Sequence, residues 1–128
     1  PPAEIVFRDF PEGKPRIVGY RAKWDDGAFE YHHTPRSFDF SQEDGPLIEK
    51  LKAISSTCWG VFGLRGYARV DFRVDREGIP WVLEVNANPC LTPDSGFVAA
   101  AEKHGLSYRD LIVRIAEEAL YPADEDLS

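Results

Sequence analysis

From Tyr67 to Asp75 the chain alternates without a break. Ala68, Val70, Phe72 and Val74 point one way, and Tyr67, Arg69, Asp71 and Arg73 point the other. A period of two predicts a strand with one face on a core. Asp75-Arg76-Glu77-Gly78 reads as a turn, and Trp81 to Asn86 as the returning strand. Before this hairpin the period changes. Leu47, Leu51, Ile54, Cys58 and Val61 recur at spacings of four and three residues, one face of a helix. Asp44 is its candidate N-cap, Pro46 sits near its first position, and Gly63 ends it.

The flanks are read in the same way. Residues 3–8 predict a short strand, closed by the turn Phe10-Pro11-Glu12-Gly13-Lys14. Residues 16–24 predict a second strand, broken by Asp25-Asp26-Gly27, with an edge piece at Phe29 to His33 and a loop over 34–45. After the hairpin, Asp94 or Ser95 starts a helix that ends at His104-Gly105. Ser107 caps another, with Asp110 three residues on in the pattern of a capping box. The apolar face of that last helix is Tyr108, Leu111, Ile112, Ile115, Ala119 and Leu120. Hairpins and segregated helices without βαβ alternation predict an α+β fold, an antiparallel sheet with helices packed on it.

Composition narrows the class. At 128 residues the chain is expected to form a single domain over 1–128, and no internal repeat, linker or low-complexity segment divides it. It is 43% hydrophobic and 29% charged, ordinary for a globular protein. The net charge of −7, with basic residues scattered and acid in Asp124-Glu125-Asp126, speaks against a nucleic-acid partner. No apolar run reaches the length of a membrane span, so no membrane partner is expected. Two cysteines, Cys58 and Cys90, do not make a disulfide scaffold, and a reducing cytoplasm is the expected compartment. Cys58 falls on the helix face and reads as core. The chain opens Pro1-Pro2 and holds no Met, the expectation for a fragment or a processed product.

Candidate chemistry collects on the hairpin. With a four-residue connection, Arg76 to Ile79, Asp75 faces Pro80 and Asp71 faces Glu84. Arg69, Asp71, Glu84 and Asn86 then project together. A three-residue loop without a bulge would put the two acids on opposite faces. Opposed carboxylates repel and require a cation, either a guanidinium or a divalent metal. Asn86 adds an amide oxygen to what becomes an all-oxygen donor set, which suits Mg²⁺. The plain alternative is a solvated strand face on which Arg69 and Arg73 balance the acids. Lys23, beside Arg21, suits a phosphate-binding point charge and equally an ordinary surface lysine. His32 and His33 are adjacent on a predicted strand and so face opposite ways, which argues against joint metal binding. Gly60, Gly63 and Gly66 match no phosphate-binding motif. Thr92-Pro93-Asp94-Ser95-Gly96 feeds a helix N-terminus, a natural anion seat. No feature of the sequence visibly lowers the pKa of Cys90, which weakens a nucleophilic role for its thiol.

The run Gly66-Tyr67-Ala68-Arg69-Val70-Asp71-Phe72, followed by Trp81-Val82-Leu83-Glu84-Val85-Asn86-Ala87-Asn88-Pro89, resembles the C-terminal part of the ATP-grasp ligases. Within them it is most similar to the D-alanine–D-alanine ligase group. The resemblance continues into Leu106-Ser107-Tyr108-Arg109-Asp110-Leu111-Ile112 and, more weakly, covers Tyr20-Arg21-Ala22-Lys23-Trp24. It implies that Asp71, Glu84 and Asn86 are ligands of Mg²⁺ or Mn²⁺, with Glu84 bridging two ions. It implies further that Arg69 contacts the phosphoryl group transferred from ATP and that Lys23 approaches the phosphoryl group or the substrate. By the same resemblance Leu83 lines the adenine pocket and Ser95 holds the carboxylate of the acceptor. The implied reaction activates an acid as its acyl phosphate, which an amine then attacks.

Two departures bear on substrate. Cys90 stands where the family usually has Gly and would narrow the acceptor pocket, and Gly96 follows Ser95 where a larger apolar residue is common. Both put D-alanine in doubt. The lid lysines and the acid-substrate domain of the family have no counterpart in these residues, so the missing N-terminal half of the same protein is an expected partner. The small acid and amine substrates are the others, with homodimerisation left open. The alternatives are a catalytically silent relative that binds nucleotide for regulation, and an α+β interaction domain whose acidic hairpin is merely solvated.

Overall fold

The computed structural model describes residues 1–18 and 20–120, and it divides into two units, Ala3–Ser41 and the chain from Gln42 onward together with Pro1–Pro2. The acidic tail at Asp124-Glu125-Asp126 lies outside the described residues.

In the first unit, β1 (Glu4–Ile5) pairs antiparallel with β2 (Arg36–Ser37), Glu4 facing Ser37 and Ile5 facing Arg36. The amides of Val6 and Arg8 carry the pairing on to the carbonyls of Pro35 and His33. Between these strands lie two short helices, α1 (Tyr20–Trp24) and α2 (Phe29–His32). The strand expected over 16–24 and the edge piece expected at Phe29 to His33 are therefore both overturned. Arg, Ala and Lys favour helix. The Asp25-Asp26-Gly27 breaker turns one helix into the next, with Asp25 Oδ1 accepting the Gly27 amide at 3.2 Å and Ala28 buried after it. The Pro11 turn forms as expected, the Lys14 amide donating to Pro11 O at 3.1 Å with Gly13 at φ 80°, but the described residues between it and α1 form no strand.

An aromatic cluster holds this unit. Phe7 meets Phe10 edge-on at 5.1 Å, Phe10 meets Phe29 at 5.5 Å, and Phe29 stacks on His33 at 3.8 Å. Lys14 lies over Phe10 and Phe29 and pairs with Glu30 at 2.7 Å. That hydrogen bond is the first cause holding the Glu30 carboxyl below its ordinary pKa. The ring nitrogens of His32 and His33 each meet a backbone carbonyl, of Asp26 and Phe29.

The second unit begins with a 3₁₀ turn, Gln42–Asp44, that runs into α3 (Gly45–Val61). Asp44 occupies the N-cap position but makes no side-chain cap hydrogen bond. Of the predicted face, Leu47, Leu51, Ile54 and Cys58 are half-buried, so Cys58 is not in a core, and Val61 is exposed. The sheet of this unit is β3 (Arg69–Val74) paired antiparallel with β4 (Pro80–Asn86). The helices α4 (Gly96–Lys103) and α5 (Tyr108–Leu120) follow. Val98, Ala101 and Leu111 form their buried core, with Phe97, Leu106 and Ile115 around it. Ser107 caps α5 as expected, the Asp110 amide donating to Ser107 Oγ at 3.1 Å, and the Ser107 hydroxyl donates in turn to Asp110 Oδ2 at 2.6 Å. Helices on small antiparallel sheets make the fold α+β, as the hydrophobic pattern predicts.

The hairpin turn differs from expectation. Val74, not Asp75, faces Pro80, and the Asp75 amide donates to Ile79 O at 3.0 Å. The loop is thus Arg76-Glu77-Gly78, with Gly78 at φ 77° where a side chain would be strained. Asp75 builds this turn. Its Oδ1 accepts the amides of Glu77 at 3.0 Å and Ile79 at 2.8 Å, and its Oδ2 accepts the Trp81 indole at 2.9 Å.

Those bonds, the Trp81 bond first, hold the Asp75 carboxyl below its ordinary value. A lowered folded pKa means that the stabilisation is complete above the unfolded value, about 4, and is lost as pH falls through the folded value. The stability gap between the wild type and Asp75→Asn is therefore expected to be widest near neutral pH and to close on acidification. Urea midpoints recorded from neutral to strongly acidic pH check this, and a gap independent of pH would contradict it.

Candidate functional site

The end of the hairpin away from the turn carries the predicted residues. Asp71 faces Glu84 and Arg69 faces Asn86, and directly opposed residues share a face. The reason differs from the one the sequence suggested. The pair after Asp71 and Glu84 is Phe72 with Val82, so Leu83 is an extra residue on β4, a β-bulge. The three-residue loop alone would have put the two acids on opposite faces. The bulge restores them to one.

Arg69 grips Asp71 with both arms of its guanidinium, Nε to Oδ1 at 2.7 Å and Nη2 to Oδ2 at 3.0 Å. Both side chains are about one-third exposed, at 36% and 34%, so the pair contributes no more than about 1 kcal/mol to stability. Its weight lies in arrangement: the guanidinium of Arg69 supplies a cation beside the opposed carboxylates. Glu84 is exposed, and its side chain has no hydrogen bond or ion pair among the described residues. Asn86 Oδ1 accepts the Asn88 amide at 2.9 Å, an Asx-type turn. Tyr67 Oη donates to Asn88 Oδ1 at 2.7 Å, and Pro89 is fully buried beyond it. The exit of β4 is thereby fixed.

The chain then runs to α4 through Cys90 and Ser95. Tyr108 Oη donates to Leu91 O at 3.0 Å and ties this loop to α5. Ser95 caps α4, its Oγ accepting the Val98 amide at 3.4 Å, so its hydroxyl stands at a helix N-terminus as the sequence predicts. Cys90 is exposed, with Sγ 3.3 Å from Thr92 Oγ1. That contact, then the Thr92 backbone, pushes the thiol pKa down, helped by the charge of Arg69 and opposed by burial and by Asp94. The expectation that nothing lowers this thiol is corrected.

Leu83 is 67% exposed on the bulge. Lys23 is exposed on α1, in the other unit, rather than on a strand. Among the described residues no three His, Cys, Asp or Glu side chains gather as a metal cluster. The oxygen donors that do share a face are two carboxylates and one amide, a hard set fitting Mg²⁺ or Mn²⁺ rather than a softer metal. The contacts that sequence reasoning missed are the bulge, the Asp75–Trp81 bond and the Tyr67–Asn88 bond. An Asp three residues before a Gly hints at the second. Nothing in the sequence signals the bulge.

Known proteins resemble the chain along most of its length. The signature of the family described as D-ala D-ala ligase C-terminus matches residues 12–117. The D-alanine–D-alanine ligase of Bordetella pertussis is 38% identical over 98 residues, which is 73% of this chain and 31% of that protein. The D-alanine–D-alanine ligase of Pseudoalteromonas translucida is 36% identical over 116 residues, 91% of this chain and 35% of that one. In structure, the D-alanine–D-alanine ligase of Bacillus anthracis complexed with ATP matches with a TM-score of 0.62 at 32% identity, over 70% of this chain and 30% of that chain. The chain spans about a third of the length of the curated relatives it matches. Among the described residues no helix is long and apolar enough to cross a membrane.

Proposed function

The chain belongs to the D-ala D-ala ligase C-terminus family, and from that premise we propose that it is the metal- and phosphoryl-binding part of an ATP-dependent carboxylate–amine ligase. The observation that carries this reading is the single face on which Asp71 opposes Glu84 and Arg69 opposes Asn86. Asp71, Glu84 and Asn86 would hold Mg²⁺ or Mn²⁺. When bound, the metal neutralises phosphate charge and orients the phosphoryl oxygens for in-line transfer.

The residues of the chain do the rest. Arg69 binds the transferred phosphoryl group and stabilises charge that develops on its oxygens. Lys23 keeps the role the family resemblance implies, a positive charge for the phosphates or the acid substrate. Leu83, apolar and exposed beside Glu84, offers a surface for the adenine ring. Ser95, at the N-terminus of α4, hydrogen-bonds the acceptor carboxylate, favoured there by the helix dipole. Cys90 bounds the acceptor pocket and disfavours D-alanine relative to other amines. The acid takes the γ-phosphoryl of ATP to give an acyl phosphate, the amine attacks its carbonyl, and phosphate leaves. The remainder of the ligase supplies the acid site and the cover over the phosphates, so the chain by itself is not expected to turn over. Retention of Arg69, Asp71, Glu84 and Asn86 together argues against a silent nucleotide-binding relative.

The test is calorimetric titration of Mg²⁺ with ATP into the chain and into Asp71→Ala/Glu84→Ala. Binding by the former and at least tenfold weaker binding by the latter is expected. Equal affinity would remove the hairpin from the nucleotide site.

A further inference from the structure

Arg69 stands where a cation must stand. Its fork takes one lone pair from each oxygen of Asp71, at 2.7 and 3.0 Å, and it does so along its own strand rather than across to Glu84. Glu84, opposite, is left exposed and free of partners among the described residues. A divalent ion shared by Asp71 and Glu84 would bring its charge against the guanidinium well inside the screening distance of about 10 Å. The two cations cannot comfortably hold the same carboxylate.

We infer that Arg69 is a placeholder for the metal: it holds Asp71 until an ion lands at Glu84, and loading of the ion onto Asp71 opens the fork. This rests on the proposed reading of Asp71 and Glu84 as metal ligands. Its consequence is an ordered site. The guanidinium becomes available to a phosphoryl group only when the metal is in place, and without metal the two opposed carboxylates stay balanced and the hairpin keeps its register. Arg suits the task where Lys does not, because only a planar fork can close both oxygens at once.

The experiment is Mn²⁺ titration of the chain without nucleotide, read by the EPR signal of free Mn²⁺, on wild type, Arg69→Lys, Arg69→Gln and Asp71→Asn. It is paired with NMR of the Arg69 Nε–H during Mg²⁺ addition. Release of the fork is expected to tighten Mn²⁺ roughly tenfold in Arg69→Gln and about threefold in Arg69→Lys, which keeps the charge but not the bidentate grip. The Nε–H is expected to move toward its solvent-exposed position and exchange faster as Mg²⁺ saturates. Should Arg69→Lys bind as the wild type does and the Nε–H stay in place, charge alone sets the affinity and the placeholder is overturned, while the metal site stands provided Asp71→Asn binds weakly. If Asp71→Asn binds Mn²⁺ as well as the wild type, the metal assignment itself is wrong and the placeholder goes with it.

Discussion

If the chain is part of a ligase as proposed, Glu84→Ala in that enzyme is expected to lower kcat by on the order of 10³-fold or more, roughly 4 kcal/mol of transition-state stabilisation. Asp71 is already engaged by Arg69 through both oxygens, whereas Glu84 is exposed with no partner among the described residues. It is therefore the donor that an incoming ion meets without competition. Removing it leaves one carboxylate and one amide, too little negative charge to hold a divalent ion against water. The same exposure predicts little structural cost, within about 0.5 kcal/mol. Loss of activity with an unmoved thermal midpoint separates chemistry from folding. Glu77→Ala is the control, since Glu77 is exposed on the loop of the same hairpin and only its backbone amide is engaged. ADP release at saturating ATP reads the effect, and a Glu84→Ala enzyme with wild-type kcat would falsify the metal assignment.

The hairpin shows where legibility in the sequence begins and ends. Strict alternation over Tyr67 to Asp75 specifies the strand and its faces, because side chains in a strand repeat every two residues. The pairing of Asp71 with Glu84 follows from the sequence only if the loop length is known. Asp75 sets that length by capping a three-residue loop with its own carboxylate, and the bulge at Leu83 then offsets the one-residue slip. Two departures from the simplest hairpin cancel, so the facing residues are as expected while the register near the turn is not. Family motifs find the same residues without passing through register at all.

Elsewhere, length decides. Residues 20–24 and 29–32 form single turns of helix, too short for a helical period to show against a two-residue one. Tyr20-Arg21-Ala22-Lys23-Trp24 reads equally well as strand until the turn at Asp25-Asp26-Gly27 is seen to fold one helix into the next. The caps of the last two helices are legible because their chemistry is local, whereas Asp44 makes no side-chain cap bond to α3. Ser95 and Ser107 each satisfy an amide three residues on. The lowered thiol of Cys90 is also local, yet it depends on a rotamer of Thr92 that no pattern encodes.

Leu111→Ala is expected to destabilise the unit from Gln42 onward by about 3 kcal/mol, within the range for buried leucines in packed cores. Leu111 is 5% exposed and packs with Val98 and Ala101, themselves 0% and 9% exposed, where α4 meets α5. Few side chains share that burial, so the cavity has little else to collapse onto it. A domain of this size commonly holds 5–15 kcal/mol in all, and so large a fraction shows plainly in a urea midpoint. The loss reaches the site through two bonds. Tyr108, one turn before Leu111, anchors the Leu91 carbonyl, and Val98 donates to the Ser95 cap. As α5 loosens from α4, both the acceptor loop at Cys90 and the hydroxyl of Ser95 lose their fixed positions. Val113→Ala, at a position 44% exposed on the same helix, controls for helix propensity and is expected to cost less than about 1 kcal/mol. The comparison turns on burial alone: matching losses in the two variants would mean that the contact of α4 with α5 is not what holds the loop between Pro89 and Ser95 in place.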